Sequence, residues 1–202
     1  NPLSAALGCA DLAMESFQAG EDPSPHLRVL CDALGRTSRV VTQLRELHGE
    51  QRSEEKLPAD LNELVEKVLL LARKKALSAG VTISWKPVAD LPRPAIMVDS
   101  MQQVFLNLTL NAIEAMDGHG RLDVRFRRAQ HPERVGVAFT DNGPGIAAEV
   151  LEALFEPFNT TKARGSGLGL FISQNIVQQH GGSIEVQTLA GEGTTFTVWL
   201  PL

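Results

Sequence analysis

The stretch GSGLGLFISQNIVQQHGG (165–182) sets Gly165, Gly167 and Gly169 just ahead of a helical pattern over Leu170–His180. A helix start leaves backbone N–H groups without intrahelical partners, and these favour an anion. Glycines let such an anion come close to the backbone. Taken alone, the signal is weak, because glycine turns before helices are common. It is not the GxxxxGK[ST] phosphate loop, and no strand leads directly into it as a dinucleotide fingerprint requires.

Three further stretches bear on the same chemistry. In DNGPGI, Asp141 closes a strand pattern, and Gly143 and Gly145 follow it. A carboxylate there can accept a hydrogen bond from the amino group of a flat ring such as adenine. It can also simply cap its own turn. In NLTLNAIEAM, Asn107, Asn111 and Glu114 step by four and three and share a helix face, while Leu106, Leu110 and Ile113 mark an apolar one. Asparagine is poor inside a helix unless its amide has a partner. Its carboxamide oxygen can ligate Mg²⁺ without adding charge beside a triphosphate. A core amide network is the plainer reading. In FEPFNTTK, Phe155 and Phe158 can anchor a loop while Thr160, Thr161 and Lys162 face a ligand; Lys162 is a point charge suited to phosphate. The whole span 156–169 reads as a lid over an anionic ligand or as an exposed surface loop.

These segments need elements to position them. Asp60 can cap a helix over 61–79, with Glu63 at its third position. Strands are expected at 81–85 and 95–99, then a helix over 101–116 capped by Asp99 or Ser100. GRLDVRFRR (120–128) and RVGVAFTD (134–141) alternate as an antiparallel pair. A short helix over 147–155 and a helix over 168–180 follow. A terminal hairpin turns at Gly191–Gly193. The expected fold is an α+β sandwich, one mixed and mostly antiparallel sheet with helices on one face.

The first quarter of the chain differs. Leu3, Leu7, Ala10, Met14 and Phe17 make a heptad seam over 3–18, and AGEDPSP then breaks the helix. A second seam runs Leu27, Leu30, Leu34, Thr37, Val41, Leu44 and His48. Two helices alone bury little apolar area, so a second copy completing a four-helix bundle is the simplest partner. The polar stretch GEQRSEEKLPAD reads as a hinge.

Composition is that of an ordinary soluble protein, with 43% apolar and 21% charged residues among 202. A net charge of −5 argues against a nucleic-acid surface. No run reaches a membrane span, so membrane contact is not expected, and no leader is visible. Cys9 and Cys31 fall in helical patterns and are expected to be buried thiols of a reducing compartment.

In their order and spacing, the four segments resemble the Asn, first-glycine, Phe and second-glycine boxes of the ATP-binding domain of sensor histidine kinases. This nucleotide fold is shared with gyrase, the Hsp90 chaperones and the MutL repair proteins. The FxPFxTTK form looks like the nitrogen-regulator type. The likeness covers 58–202, and the hairpin over 1–53 resembles the family's dimerisation and phosphotransfer domain. The opening NPL looks like the tail of HExxNPL, which would put the phospho-accepting His four residues before Asn1. His26, His48, His119, His131 and His180 do not sit in that motif.

The resemblance implies a kinase that uses ATP and Mg²⁺, with Asn111 on the metal and Asn107 near the phosphates. It puts Asp141 on the adenine amino group and Gly143 and Gly145 beside the ring. Thr160, Thr161 and Lys162 would approach from the lid. Gly165, Gly167 and Gly169 would permit lid closure, with the amides of Gly167, Leu168, Gly169 and Leu170 near the phosphates. Where ATP-hydrolysing relatives have a general-base Glu, this chain has Asn107. The implied partners are a second copy and a response-regulator receiver domain, in the cytoplasm, and the fragment itself would bind ATP without autophosphorylating. The rivals are a gyrase-like ATP hydrolase and a non-catalytic dimeric scaffold.

Overall fold

A computed structural model describes residues 2–20, 22–31, 55–116, 118–130, 133–160 and 167–202. The chain divides into two compact units, Asn1–Arg52 and Ser53–Leu202.

The described residues of the first unit hold two helical stretches separated by a turn. Helix α1 (Pro2–Gln18) ends where Gly20 takes φ +76° and its N–H reaches Phe17 O at 3.2 Å. Helical structure resumes at 24–31 (α2). Asp22 Oδ1 accepts from the Ser24 N–H at 2.9 Å just before that restart. The later seam positions of the second helix, from Leu34 to His48, lie outside the described residues. Along α1, Leu7, Met14 and Phe17 are exposed (69%, 60% and 70%). The expectation of two buried thiols does not hold: Cys9 is half-buried and Cys31 exposed.

The second unit is a layer of helices on a sheet. Its elements are β1 (Leu57–Pro58), α3 (Leu61–Ser78), β2 (Val81–Trp85), β3 (Ala95–Ile96), α4 (Val98–Ala115), β4 (Gly120–Gln130), β5 (Glu133–Asp141), α5 (Ala148–Leu151), α6 (Gly169–Gln179), β6 (Ser183–Leu189) and β7 (Gly193–Pro201). The main sheet runs β2-β4-β5-β7-β6, with β2–β4 parallel and the other pairings antiparallel. Strands β1 and β3 form a separate antiparallel pair. The expectation of a mixed, mostly antiparallel α/β sandwich is met.

Alternation along the strands builds the core. Val135, Val137 and Phe139 on β5 stand opposite Leu200, Val198 and Phe196 on β7, and all six are buried. The next residue in that inward series is Asp141, which pairs with Thr194 on β7 and Leu122 on β4. A period of two therefore carries the carboxylate to the inner face, at the end of the strand. Phe105 of α4 meets Phe139 with ring centroids 5.4 Å apart. Burying each such ring stabilises the fold by roughly 2–3 kcal/mol.

Several element boundaries depart from the sequence reading. Strand β3 has two residues rather than five, and α4 starts at Val98 after Met97, without a side-chain cap from Asp99 or Ser100. The buried Ile96 and Met97 made 95–99 look like a strand, but they are the inward residues of a bridge and a helix start. The apolar face of α4 is Met101, Val104, Phe105, Leu108, Ala112 and Ile113, whereas Leu106 and Leu110 are only half-buried. The 147–155 helix shrinks to Ala148–Leu151, followed by turns. Asp60 caps α3 as expected, accepting from the Asn62 N–H at 2.9 Å.

Candidate functional site

Helix α4 lies between α3 and α6, and Asn107 looks toward α6. Asn107 Nδ2 donates to Ser173 Oγ at 2.9 Å, and Ser173 Oγ donates to Gly169 O at the same distance. Asn111 Nδ2 faces Asn107 Oδ1 at 3.5 Å. Both asparagines are half-buried, while Ser173 is only 2% exposed. Glu114 turns the other way, to an ion pair with Lys75 of α3, and so leaves the asparagine face. Both partners of that pair are well exposed to water, so it adds little stability.

Gly169 is the first residue of α6, and a Cβ on it would stand 2.6 Å from Asn107 Oδ1. The missing side chain therefore makes room for the asparagine. Gly167 is different. Its φ is +68°, and a Cβ there would run into the backbone of Phe158, which itself has φ +65°. The two ends of the 158–167 segment thus meet backbone to backbone. Phe155 is half-buried, but Phe158 is exposed and does not anchor the loop by its ring. No side chain caps the start of α6, and Leu168 is fully buried beneath it. Leu170 follows, half-buried in the first turn. Thr160 is exposed at the other end of the segment. Thr161, Lys162 and Gly165 lie outside the described residues.

The opposite end of the site forms below the last turn of α4. Asp141, 5% exposed, accepts from the Gly143 N–H at 2.9 Å and from the Thr194 N–H at 3.3 Å. Burial pushes its carboxyl above the usual range, while those two amide hydrogen bonds pull it back. A Cβ on Gly143 would lie 2.9 Å from Asp141 Oδ1 and 3.5 Å from Ala115 O, so the turn fits closely under α4. Gly145 takes φ +73° against Leu189. The Gly191 N–H donates to Pro144 O at 2.8 Å, and the Ile146 N–H donates to Thr188 Oγ1 at 2.9 Å. The terminal hairpin thereby holds the glycine turn.

One helix therefore joins both ends. From Asn107, beside α6, to Ala115, over Gly143, α4 rises about 12 Å. Asn111 lies between them. Ser173 and Thr194 have no place in the expected site. Ser173 sits four residues after Gly169, the spacing at which a serine reaches back to a helix carbonyl, and Thr194 directly follows the Gly193 turn.

The donor set fits a nucleotide-borne magnesium ion. Among the described residues no group of three or more His, Cys, Asp or Glu could hold a metal. Carboxamide oxygens with phosphate and water oxygens suit Mg²⁺, which seldom takes an all-protein cage. Among the described residues no helix is long and apolar enough to cross a membrane.

A helix layer on a mixed sheet, with an amide-bearing helix above a strand-end aspartate and two glycine turns, defines a nucleotide-binding fold of one class. Residues 97–202 match the profile of the histidine kinase-, DNA gyrase B- and HSP90-like ATPase family, and the chain belongs to that family. It is 40% identical over 203 residues to sensor histidine kinase ZraS of Escherichia coli K12, covering all of this chain and 43% of that protein. It is 34% identical over 216 residues to the sensory histidine kinase/phosphatase NtrB of Rhizobium leguminosarum bv. phaseoli, covering all of this chain and 55% of that one. The chain thus spans about half or less of the length of these curated relatives. The catalytic domain of histidine kinase ThkA superposes with a TM-score of 0.65 at 32% identity, over 73% of this chain and 95% of that one. ThkA in complex with response regulator protein TrrA gives 0.77 at 26% identity, over all of this chain and 57% of that one.

Proposed function

We propose that this chain is the ATP- and Mg²⁺-binding kinase core of a two-component sensor histidine kinase. Residues 58–202 form its catalytic domain, and 1–53 form the dimerisation and phosphotransfer hairpin. The γ-phosphoryl group passes to the histidine expected four residues before Asn1 and then to an aspartate of a response regulator. The observation that carries this reading is the run along α4, in which Asn107, Asn111 and the Gly143–Asp141 turn lie in line from the start of α6.

Each residue has a task in that line. The Asp141 carboxylate accepts from the adenine amino group, and Gly143 and Gly145 shape the wall beside the ring. Asn111 offers a carboxamide oxygen to Mg²⁺, which neutralises phosphate charge. Asn107 lies one turn nearer α6, beside the phosphates. Amides of Gly167, Leu168, Gly169 and Leu170 at the start of α6 receive phosphate oxygens, and Lys162, Thr160 and Thr161, with Gly165 in the same segment, are the residues assigned to approach them. Phosphoryl transfer needs this positioning and neutralisation more than covalent help. An asparagine takes no proton, so Asn107 does not activate water and the phosphoryl group is kept for a histidine.

The exposed seam of Leu7, Met14 and Phe17 supports pairing with a second copy in a four-helix bundle. The complex of ThkA with TrrA supports a response-regulator partner.

Calorimetry with a non-hydrolysable ATP analogue, with and without Mg²⁺, tests the pocket. Magnesium-strengthened binding is expected, and absence of heat would favour a dimeric scaffold instead. ATP turnover by the chain alone that Asn107→Ala abolishes would favour a hydrolase. Radiolabel from γ-labelled ATP appearing on one of the chain's own five histidines would remove the assignment of the acceptor.

A further inference from the structure

We propose that Ser173 is a positioning residue that sets which way the two asparagine carboxamides face. The hydrogen-bond relay starts from a backbone carbonyl. Gly169 O can only accept, and Ser173 Oγ, 2.9 Å away, has one proton to give. That proton goes to Gly169 O, so Ser173 Oγ can only accept from the next group. Asn107 must then present its NH₂, and Nδ2 stands 2.9 Å from Oγ. The planar amide turns Oδ1 to its other edge. There it faces Asn111 at 3.5 Å, where an amide nitrogen is favoured over a second oxygen. With Nδ2 toward Asn107, the Asn111 carboxamide oxygen lies on the edge turned away from Asn107.

An amide flips at little intrinsic cost, and a flipped Asn111 would offer hydrogens to a cation instead of an oxygen. The polarity is transmitted from Gly169 O through Ser173 and Asn107 without any charged group. Two features protect it. Ser173 is 2% exposed, so water competes poorly for its oxygen. Gly169 has no Cβ to displace Asn107 Oδ1. The inference rests on the reading of Asn111 as the metal-side residue.

The test compares nucleotide binding by the whole chain with Mg²⁺ and with EDTA for wild type, Ser173→Ala and Ser173→Thr. Alanine cannot accept from Asn107. The expected result is that Ser173→Ala loses on the order of tenfold in the magnesium-dependent gain in affinity, with affinity in EDTA unchanged. Threonine keeps the hydroxyl and restores the gain. In the nucleotide-free protein, the Asn107 side-chain amide protons exchange faster with water in Ser173→Ala, as read by NMR. An unchanged magnesium gain in Ser173→Ala overturns the inference. So does an equal loss with and without the metal, because that would make Ser173 merely structural. A wild-type chain that binds no nucleotide overturns the reading of the pocket, and this inference falls with it. A wild type that shows the gain while Ser173→Ala keeps it brings down the inference alone.

Discussion

The Nε2 atom of His180 accepts a hydrogen bond from the backbone N–H of Met97 at 2.9 Å, joining the C-terminal end of α6 to the start of α4. These are the two helices that meet again at Asn107 and Ser173. The other ring nitrogen, Nδ1, lies 2.7 Å from Ile176 O. A carbonyl only accepts, so Nδ1 bears the proton and the neutral imidazole satisfies both contacts. Burial holds the His180 pKa below its usual value; the Ile176 carbonyl opposes this, and the Lys56 ammonium adds to it. Lys56 Nζ donates to Gln179 O at 2.6 Å, beside the imidazole.

Stability is therefore expected to fall in mild acid. The unfolded chain takes up a proton at His180 near pH 6.5, while the folded protein resists until lower pH. Between those values the unfolded state binds more protons, so stability rises with pH. The contribution is complete above about pH 6.5 and is lost as pH falls through the folded value. His180→Gln should be less stable than wild type at pH 7.5 by about 1–2 kcal/mol, and the gap should narrow by pH 5.5. Urea denaturation at the two pH values checks this. Parallel pH profiles for the two proteins would show that His180 does not titrate as argued.

Asp141 shifts in the opposite direction, and its stability effect has the opposite sign. Its raised carboxyl pKa means that the folded state holds the proton longer, so ionising it as pH rises costs stability. Asp141→Asn removes that buried charge, and its carbonyl can still accept from the Gly143 N–H. The nucleotide-free variant is expected to melt no lower than wild type. Adenine nucleotide affinity should fall by about tenfold or more, because a charge-assisted acceptor is gone. Thermal melts with and without nucleotide measure both effects. A variant that melts well below wild type without nucleotide would place Asp141 among the structural residues.

The sheet was legible because large apolar residues alternate with small or polar ones along strands such as β5, even though both faces of that strand are largely buried. RVGVAFTD predicts Val135, Val137 and Phe139 inward, and the same period takes Asp141 to the inner face. The start of α4 was hidden because its anchor, His180, lies 83 positions further along the chain. Local propensity favoured Asp99 or Ser100 as the cap, and a tertiary bond overrode it. The glycines were found as a group but not distinguished. Their different causes depend on Phe158 and Asn107, which the chain brings alongside only on folding. Ser173 gave the weakest signal, since a lone serine in an apolar helix reads as filler until its i−4 carbonyl and an asparagine on another helix are both in place.

Gly167 is expected to tolerate substitution worse than Gly169, although both belong to one glycine-rich turn. Alanine at 167 must adopt φ +68°, at about 1–2 kcal/mol, and also meets the rigid backbone of Phe158. Alanine at 169 meets only the Asn107 carboxamide, a side chain that can shift, and it gains up to about 1 kcal/mol of helix propensity. Chemical denaturation should show Gly167→Ala as the less stable of the two.

The Gly169 clash is with one named side chain, that of Asn107, which makes it separable by a double-mutant cycle. Gly169→Ala in the wild type pushes Asn107 Oδ1 from its place and should destabilise the protein or weaken magnesium-dependent nucleotide binding. In an Asn107→Ala background the obstructing oxygen is absent, and the same change should become neutral or stabilising through propensity alone. The expected coupling is about 1–2 kcal/mol, well above the few tenths seen for independent sites. Denaturation of the four proteins provides the stability cycle, and calorimetry with Mg²⁺ and an ATP analogue provides the binding cycle. If Gly169→Ala costs the same in both backgrounds, Asn107 is not what the glycine accommodates, and the close approach of α4 to the start of α6 must be held by other contacts.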